Sequence, residues 1–206
     1  MFLDELAEFS RSVLESLRQP LEEASILVTR AAASATFPAR FLLVAAMNPC
    51  PCGAGGRHDA CKCSDSARVR YQHRLSAPLL DRFDLRLAVH RPDASDLVSD
   101  LAGEPTDVVA ARVARVRSLA LARSGGTNAA LTDWQLTRFA PMNPGAKRLL
   151  ELRLRSGNLS ARGLSRIRRV ARTIADLTGN DHALREEDVA TALELRGDFT
   201  ALHEAI

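Results

Sequence analysis

Four cysteines are the whole complement of this chain, and all of them lie in one stretch, NPCPCGAGGRHDACKC. Cys50 and Cys52 form a C-x-C pair, eight residues intervene, and Cys61 and Cys63 form a second pair. Four thiolates on a glycine-containing loop that folds back on itself can close a tetrahedral shell around zinc. In a reducing compartment a metal is favoured over a disulfide for such a set. The C-x-C spacing is tighter than the usual C-x-x-C knuckle, so a disulfide, an iron–sulfur cluster and unliganded thiols remain open alternatives. His58 lies inside the loop, where it could replace one sulfur or simply be solvated.

A second set of residues could act on a phosphate. The chain opens MFLDEL, in which Asp4 and Glu5 end a short apolar run. Asn48 ends another, FLLVAAMN. Open α/β folds bind ligands at the carboxyl edge of the sheet, where these three side chains would project. There an Asp can hold Mg²⁺ through water, a neighbouring Glu can polarise an attacking water, and an amide can orient that water. The plainer alternatives are an acidic pair at a helix start and a turn residue before Pro49. In APLLDRFD, Arg82 is a permanent cation able to fork onto phosphate oxygens. Its plainer alternative is an ion pair with Asp81 or Asp84.

The elements that must position these residues divide the chain. Residues 1–92 alternate strand and helix signals. Ser10 is an N-cap with Phe9 and Leu14 as a hydrophobic staple, and the helix it starts is expected to end before Pro20. The segment from Ile26 to Phe37 reads as a hairpin. Phe41 to Ala46, apolar without alternation, predicts a strand buried on both faces of a parallel sheet. A basic helix from Ser64 to about Leu75 and a strand from Asp84 to His90 follow. Residues 93–106 form a connector. Residues 107–206 show only helical periodicity: a helix over Val108–Leu121 stopped by Gly125-Gly126, a short one around Trp134, one opened by Asn143-Pro144, one over Ser160–Leu177 and one after Arg185. The fold class is therefore α/β followed by all-α.

Composition bounds the function classes. At 206 residues the chain can bury a sizeable core, and 46% hydrophobic with 26% charged residues is ordinary for a globular protein. A net charge of +3 does not by itself imply a nucleic-acid partner. No apolar run approaches the length of a membrane span, so no membrane partner is expected and the cytoplasm is the default compartment. Charge is nevertheless clustered: Lys147 to Arg172 holds nine Lys/Arg and one acid, Glu151. Arg162, Arg166 and Arg169 share one helical face, which is either solvated or directed at nucleotide phosphate, a nucleic-acid backbone or an acidic partner. The single Tyr and single Trp leave no stacking platform, so sequence-specific base reading is not expected.

Taken together, FLDEL, the helix ending RQPLE, the hairpin, FPARFLLVAAMNPCPCG, YQHRLSAPLLDRFDLRL and LSARGLSRIRRVARTIADL closely resemble the magnesium-chelatase-subunit-like AAA+ ATPases, within them the ComM/YifB branch. The resemblance implies a partial AAA+ P-loop-type core with a hairpin insertion and cysteine loop, followed by a helical lid. It implies roles for particular residues: Asp4 and Glu5 as the Walker B pair for Mg²⁺ and water activation, Asn48 as sensor 1, Arg82 as an arginine finger serving a neighbouring subunit, and Arg162 as sensor 2. Residues 26–40 match a hairpin that in related ring helicases points into the channel. Ala7 stands where proline is expected. The intact protein would be a ring, expected hexameric, coupling ATP hydrolysis to DNA branch migration. The other readings are a motor subunit inserting metal into a porphyrin, and a truncated non-enzymatic interaction module.

One departure is large. No G-x-x-x-x-G-K-[ST] occurs, and three residues precede Asp4. The expectation is therefore the C-terminal section of a longer protein, which alone does not turn over ATP because it lacks the phosphate loop.

Overall fold

The computed structural model describes residues 1–31, 33–54, 61–89, 92, 94–99 and 103–197. It is a mixed α/β protein whose C-terminal part is helical, and the described residues fall into two compact units divided between Phe83 and Asp84. His58 and His90 lie outside the described residues.

In the first unit, β1 (Phe2–Leu3) pairs in parallel with β4 (Val44–Ala45), with Phe2 opposite Val44 and Leu3 opposite Ala45. Backbone bonds from Ala46 N to Leu3 O and from Leu6 N to Ala46 O, each 2.9 Å, continue the register past the strands. The expected strand over residues 41–46 is thus cut to two residues, and it is not buried: Leu42 is 78% and Val44 47% exposed. Parallel strands are stable when flanked and covered on both faces, whereas among the described residues β4 has a neighbour on one edge only.

Helix α1 (Arg11–Ser16) starts at Ser10, whose hydroxyl accepts from Val13 N, and stops before Pro20 as expected. The chain then re-enters a helix at once. In α2 (Arg18–Glu23) Pro20 occupies the first turn, where its missing N–H has no intrahelical role. The hairpin β2 (Ser25–Arg30) and β3 (Ala33–Pro38) pairs Ile26 with Phe37 and Val28 with Ala35 on one face, while the other carries Leu27 opposite Thr36 and Thr29 opposite Ser34. Helices α3 (Asp65–Gln72) and α4 (Ala77–Leu80) close the unit over a core of Leu6, Leu14, Leu75 and Leu79.

The second unit contains α5 (Ala94–Val98), α6 (Thr106–Ser124), α7 (Asp133–Phe139), α8 (Pro144–Arg155), α9 (Ala161–Leu177) and α10 (Glu186–Glu194). The stops and starts follow the local chemistry. Gly125 ends α6 at φ +72°, a left-handed conformation that costs glycine little. Asn143 caps α8 by accepting from Ala146 N at 2.8 Å, and Ser160 caps α9 by accepting from Gly163 N at 3.0 Å. Leu136, Leu150, Ile167, Ala171, Leu184 and Val189 centre the core. Residues 84–89 form no strand: Arg86 makes an isolated parallel bridge to Arg196, while Leu85, Leu87 and Val89 stay exposed. No described helix is long and apolar enough to cross a membrane.

Candidate functional site

The parallel register of β1 and β4 sets three of the sequence candidates at one edge. Asp4 and Glu5 follow the last paired residue of β1, and Asn48 lies three residues beyond the last paired residue of β4. Both carboxylates are exposed. The Asp4 carboxylate accepts from Glu5 N at 2.9 Å. Glu5 adopts φ 49°, ψ 46°, a left-handed conformation that a non-glycine residue holds only at some cost. Two acids and an amide at the ends of adjacent parallel strands can share a hydrated divalent cation and a water molecule.

Arg82, at the exit of α4, has each of its three guanidinium nitrogens engaged within the first unit. Nε donates to Arg18 O at 3.0 Å, one terminal nitrogen donates to Pro78 O, and the other forms an ion pair with the Glu22 carboxylate. The side chain is only 8% exposed. Its acidic partner is therefore neither Asp81 nor Asp84 but Glu22, a residue that sequence reasoning missed. The two lie 60 positions apart, so no local pattern signals the pair.

The cysteines converge. All four sulfurs lie within 4.8 Å of one another. Cys50 and Cys52 are 3.4 Å apart, Cys50 and Cys61 3.7 Å, and Cys52 and Cys61 3.6 Å. Zinc–thiolate bonds of about 2.3 Å at tetrahedral angles require sulfur separations of about 3.8 Å. None of the four is in a disulfide. Cys50 is fully buried. The backbone N–H of Ala54, with help from the Cys50 thiol, holds the Cys52 thiol down to about 6, while the contact with Cys52 and burial push Cys63 up to about 11. The donor set thus fits a thiophilic divalent metal in number, spacing and partial ionisation.

The basic face expected on α9 has other duties. Arg162 is exposed in its first turn. Arg166 pairs with Asp84 at 2.7 Å. Arg168 donates to the carbonyls of Leu136 and Ala140 at the end of α7. Arg169 donates to Leu131 O at 2.8 Å, and burial lowers the pKa of both Arg168 and Arg169. Arg172 is fully buried, bonded to Asp176 and to the carbonyls of His182 and Asn180. Apart from Arg162, these are structural cations rather than a surface for anions.

Residues 1–97 match the family described as magnesium chelatase, subunit ChlI, and residues 103–196 match its C-terminal counterpart. The competence protein ComM of Haemophilus influenzae is 43% identical over 198 residues, 95% of this chain and 38% of that protein. The protein YifB of Escherichia coli K12 is 40% identical over 188 residues, 90% of this chain and 37% of that protein. The DNA replication licensing factor mcm-6 of Caenorhabditis briggsae is 32% identical over 83 residues, 40% of this chain and 9% of that protein. The chain spans under two fifths of the length of the first two relatives. With both halves matched and identity near two in five along almost its whole length, the chain belongs to the magnesium-chelatase-subunit family, in its ComM/YifB branch.

Proposed function

We propose that this chain supplies the catalytic carboxylates, sensors and arginine finger of an AAA+-type ATPase that acts on DNA. The observation that carries the reading is the β1–β4 register, which sets Asp4, Glu5 and Asn48 at one strand edge. In this reading Asp4 holds Mg²⁺ through water, Glu5 takes the proton of the attacking water, and Asn48 orients that water against the γ-phosphate. Arg82 serves a nucleotide held by a neighbouring subunit of a hexameric ring, and Arg162 is the sensor of the helical part. The domain division that goes with it is a core over 1–92, a connector over 93–106 and a lid over 107–206. The four cysteines hold one structural zinc ion, and the compartment is the cytoplasm, where such thiols stay reduced.

DNA is favoured as the partner by the relatives, one called a competence protein and one a DNA replication licensing factor. Branch migration of recombining strands is the activity we assign, without base specificity. The family description itself favours a second reading, a motor for metal insertion into a porphyrin. The test uses a protein that carries this chain together with a phosphate-binding segment. Glu5→Gln is expected to abolish ATP hydrolysis while nucleotide binding persists, and branched DNA is expected to raise wild-type hydrolysis. Hydrolysis that survives Glu5→Gln overturns the assignment, and stimulation by a porphyrin-loaded partner instead of DNA supports the second reading.

A further inference from the structure

The cysteine cluster and Asn48 are parts of one local structure. Asn48 is followed directly by Pro49 and Cys50, and the chain then turns sharply, with Gly53 N donating to Cys50 O at 3.0 Å. Gly53 sits at φ +75° and faces the Asn48 side chain: a Cβ built on it would lie 3.8 Å from Asn48 Cγ and from Oδ1. The amide thus lies beside the turn that carries two of the four sulfurs. The other two sulfurs lead straight into α3, since Cys63 precedes its cap, Ser64, whose hydroxyl accepts from Ala67 N at 3.3 Å. Arg68, on the first turns of α3, pairs with Asp65, and Asp65 first and the nearby Cys61 in part favour its charged form.

A divalent ion with four thiolates carries a net charge of −2. A guanidinium near one thiol and a helix N-terminus beside another are surroundings that offset such a charge. Binding a metal here would also tie together the turn that the Gly53 N–Cys50 O hydrogen bond begins. We propose that one zinc ion bound by Cys50, Cys52, Cys61 and Cys63 is the brace that fixes the Asn48 amide, making Asn48 position dependent on metal occupancy. This rests on the reading of Asn48 as the water-orienting amide, and it adds Gly53 and Arg68 as positioning residues.

The test needs neither ATP nor DNA, so it fails or succeeds separately from the ATPase reading. The 206-residue chain, labelled with ¹⁵N, is stripped with a chelator and titrated with zinc. The side-chain amide pair of Asn48 is assigned by its absence in Asn48→Asp, and zinc is counted after displacement by a mercurial. One zinc per chain is expected. Loading should shift the Asn48 amide pair and slow exchange of the backbone amides of residues 47–53 by about tenfold or more, the signature of a closed local opening. The core amides of Leu14 and Leu79 should remain unchanged. Arg68→Ala should release zinc at a lower chelator concentration with the same bound-state spectrum. Failure to bind stoichiometric zinc overturns the proposal. So does stoichiometric zinc with an unmoved Asn48, or loss of the whole first-unit spectrum on stripping, since the metal would then hold the fold and not the amide.

Discussion

Arg82, its side chain nearly buried, pairs with the exposed carboxylate of Glu22 and so ties the exit of α4 to α2, the helix leading directly into the β2–β3 hairpin. A finger that serves a neighbouring subunit must leave this pocket, so Glu22 and a phosphate compete for one guanidinium. Arg82→Ala removes bonds to two carbonyls and the ion pair with Glu22. It should lower stability of the first unit by about 1–3 kcal/mol, the range for hydrogen bonds to a charged group. Urea denaturation checks this, and an unchanged midpoint would mean that the pocket contributes nothing.

Asp176 holds the centre of the helical unit. Its carboxylate accepts from Arg123 at 2.9 Å, Arg172 at 3.1 Å and Asn128 at 2.8 Å. Asp176→Asn keeps the shape but leaves two guanidinia, one of them fully buried, facing a neutral amide. The expected cost is about 3–5 kcal/mol, because breaking a buried pair leaves uncompensated charge. A loss below about 1 kcal/mol, the scale of an exposed pair, would contradict it.

Asp188 gives the helical unit a defined acid dependence. Burial opposes its charged form, but the Arg185 guanidinium and backbone N–H, with the Asn180 amide, outweigh burial and hold its pKa below the ordinary value. A depressed folded pKa contributes stability that is present in full above the unfolded value, about 3.9, and is lost as pH falls through the lower folded value. The stability gap between wild type and Asp188→Asn should be constant from neutrality to about pH 5 and shrink below about pH 4. A gap that widens on acidification would reverse the sign.

Lys147, Arg148 and Arg155 on α8 are exposed, and no ion-pair partner for them occurs among the described residues. If this unit touches DNA, α8 is the face that does so. Reversing these three to Glu should weaken duplex binding by about tenfold or more and flatten its salt dependence. Arg166→Ala with Arg169→Ala should lower the Tm and leave binding alone. The opposite pattern, read by fluorescence anisotropy, would return the role to α9.

The helical half was largely legible because its punctuation is local. Gly125, Asn143-Pro144 and Ser160 each act on the backbone within four residues, and the apolar spacing of α9 places Ile167 and Ala171 inward. The cysteine cluster was legible because its four thiols lie within fourteen residues. Long-range polar chemistry was not. A run of arginines looks like an anion site until the carbonyls of Leu131, Leu136 and Ala140 are seen to end beside it. The strand over 41–46 failed for a related reason: its apolar run states what it needs around it, and the described residues supply one neighbour.

We propose that Glu5 and Arg82 act on one nucleotide from two subunits, and mixing two inactive proteins measures this directly. In a protein carrying this chain with its phosphate-binding segment, Arg82→Ala should depress hydrolysis by roughly 10³–10⁵, the worth of an arginine finger, with each subunit's nucleotide affinity nearly intact. Glu5→Gln should be equally inactive. A co-assembled mixture contains sites with an intact Glu5 facing a neighbour's intact Arg82, so hydrolysis should partly return. Two variants that co-assemble and stay inactive together would contradict the account.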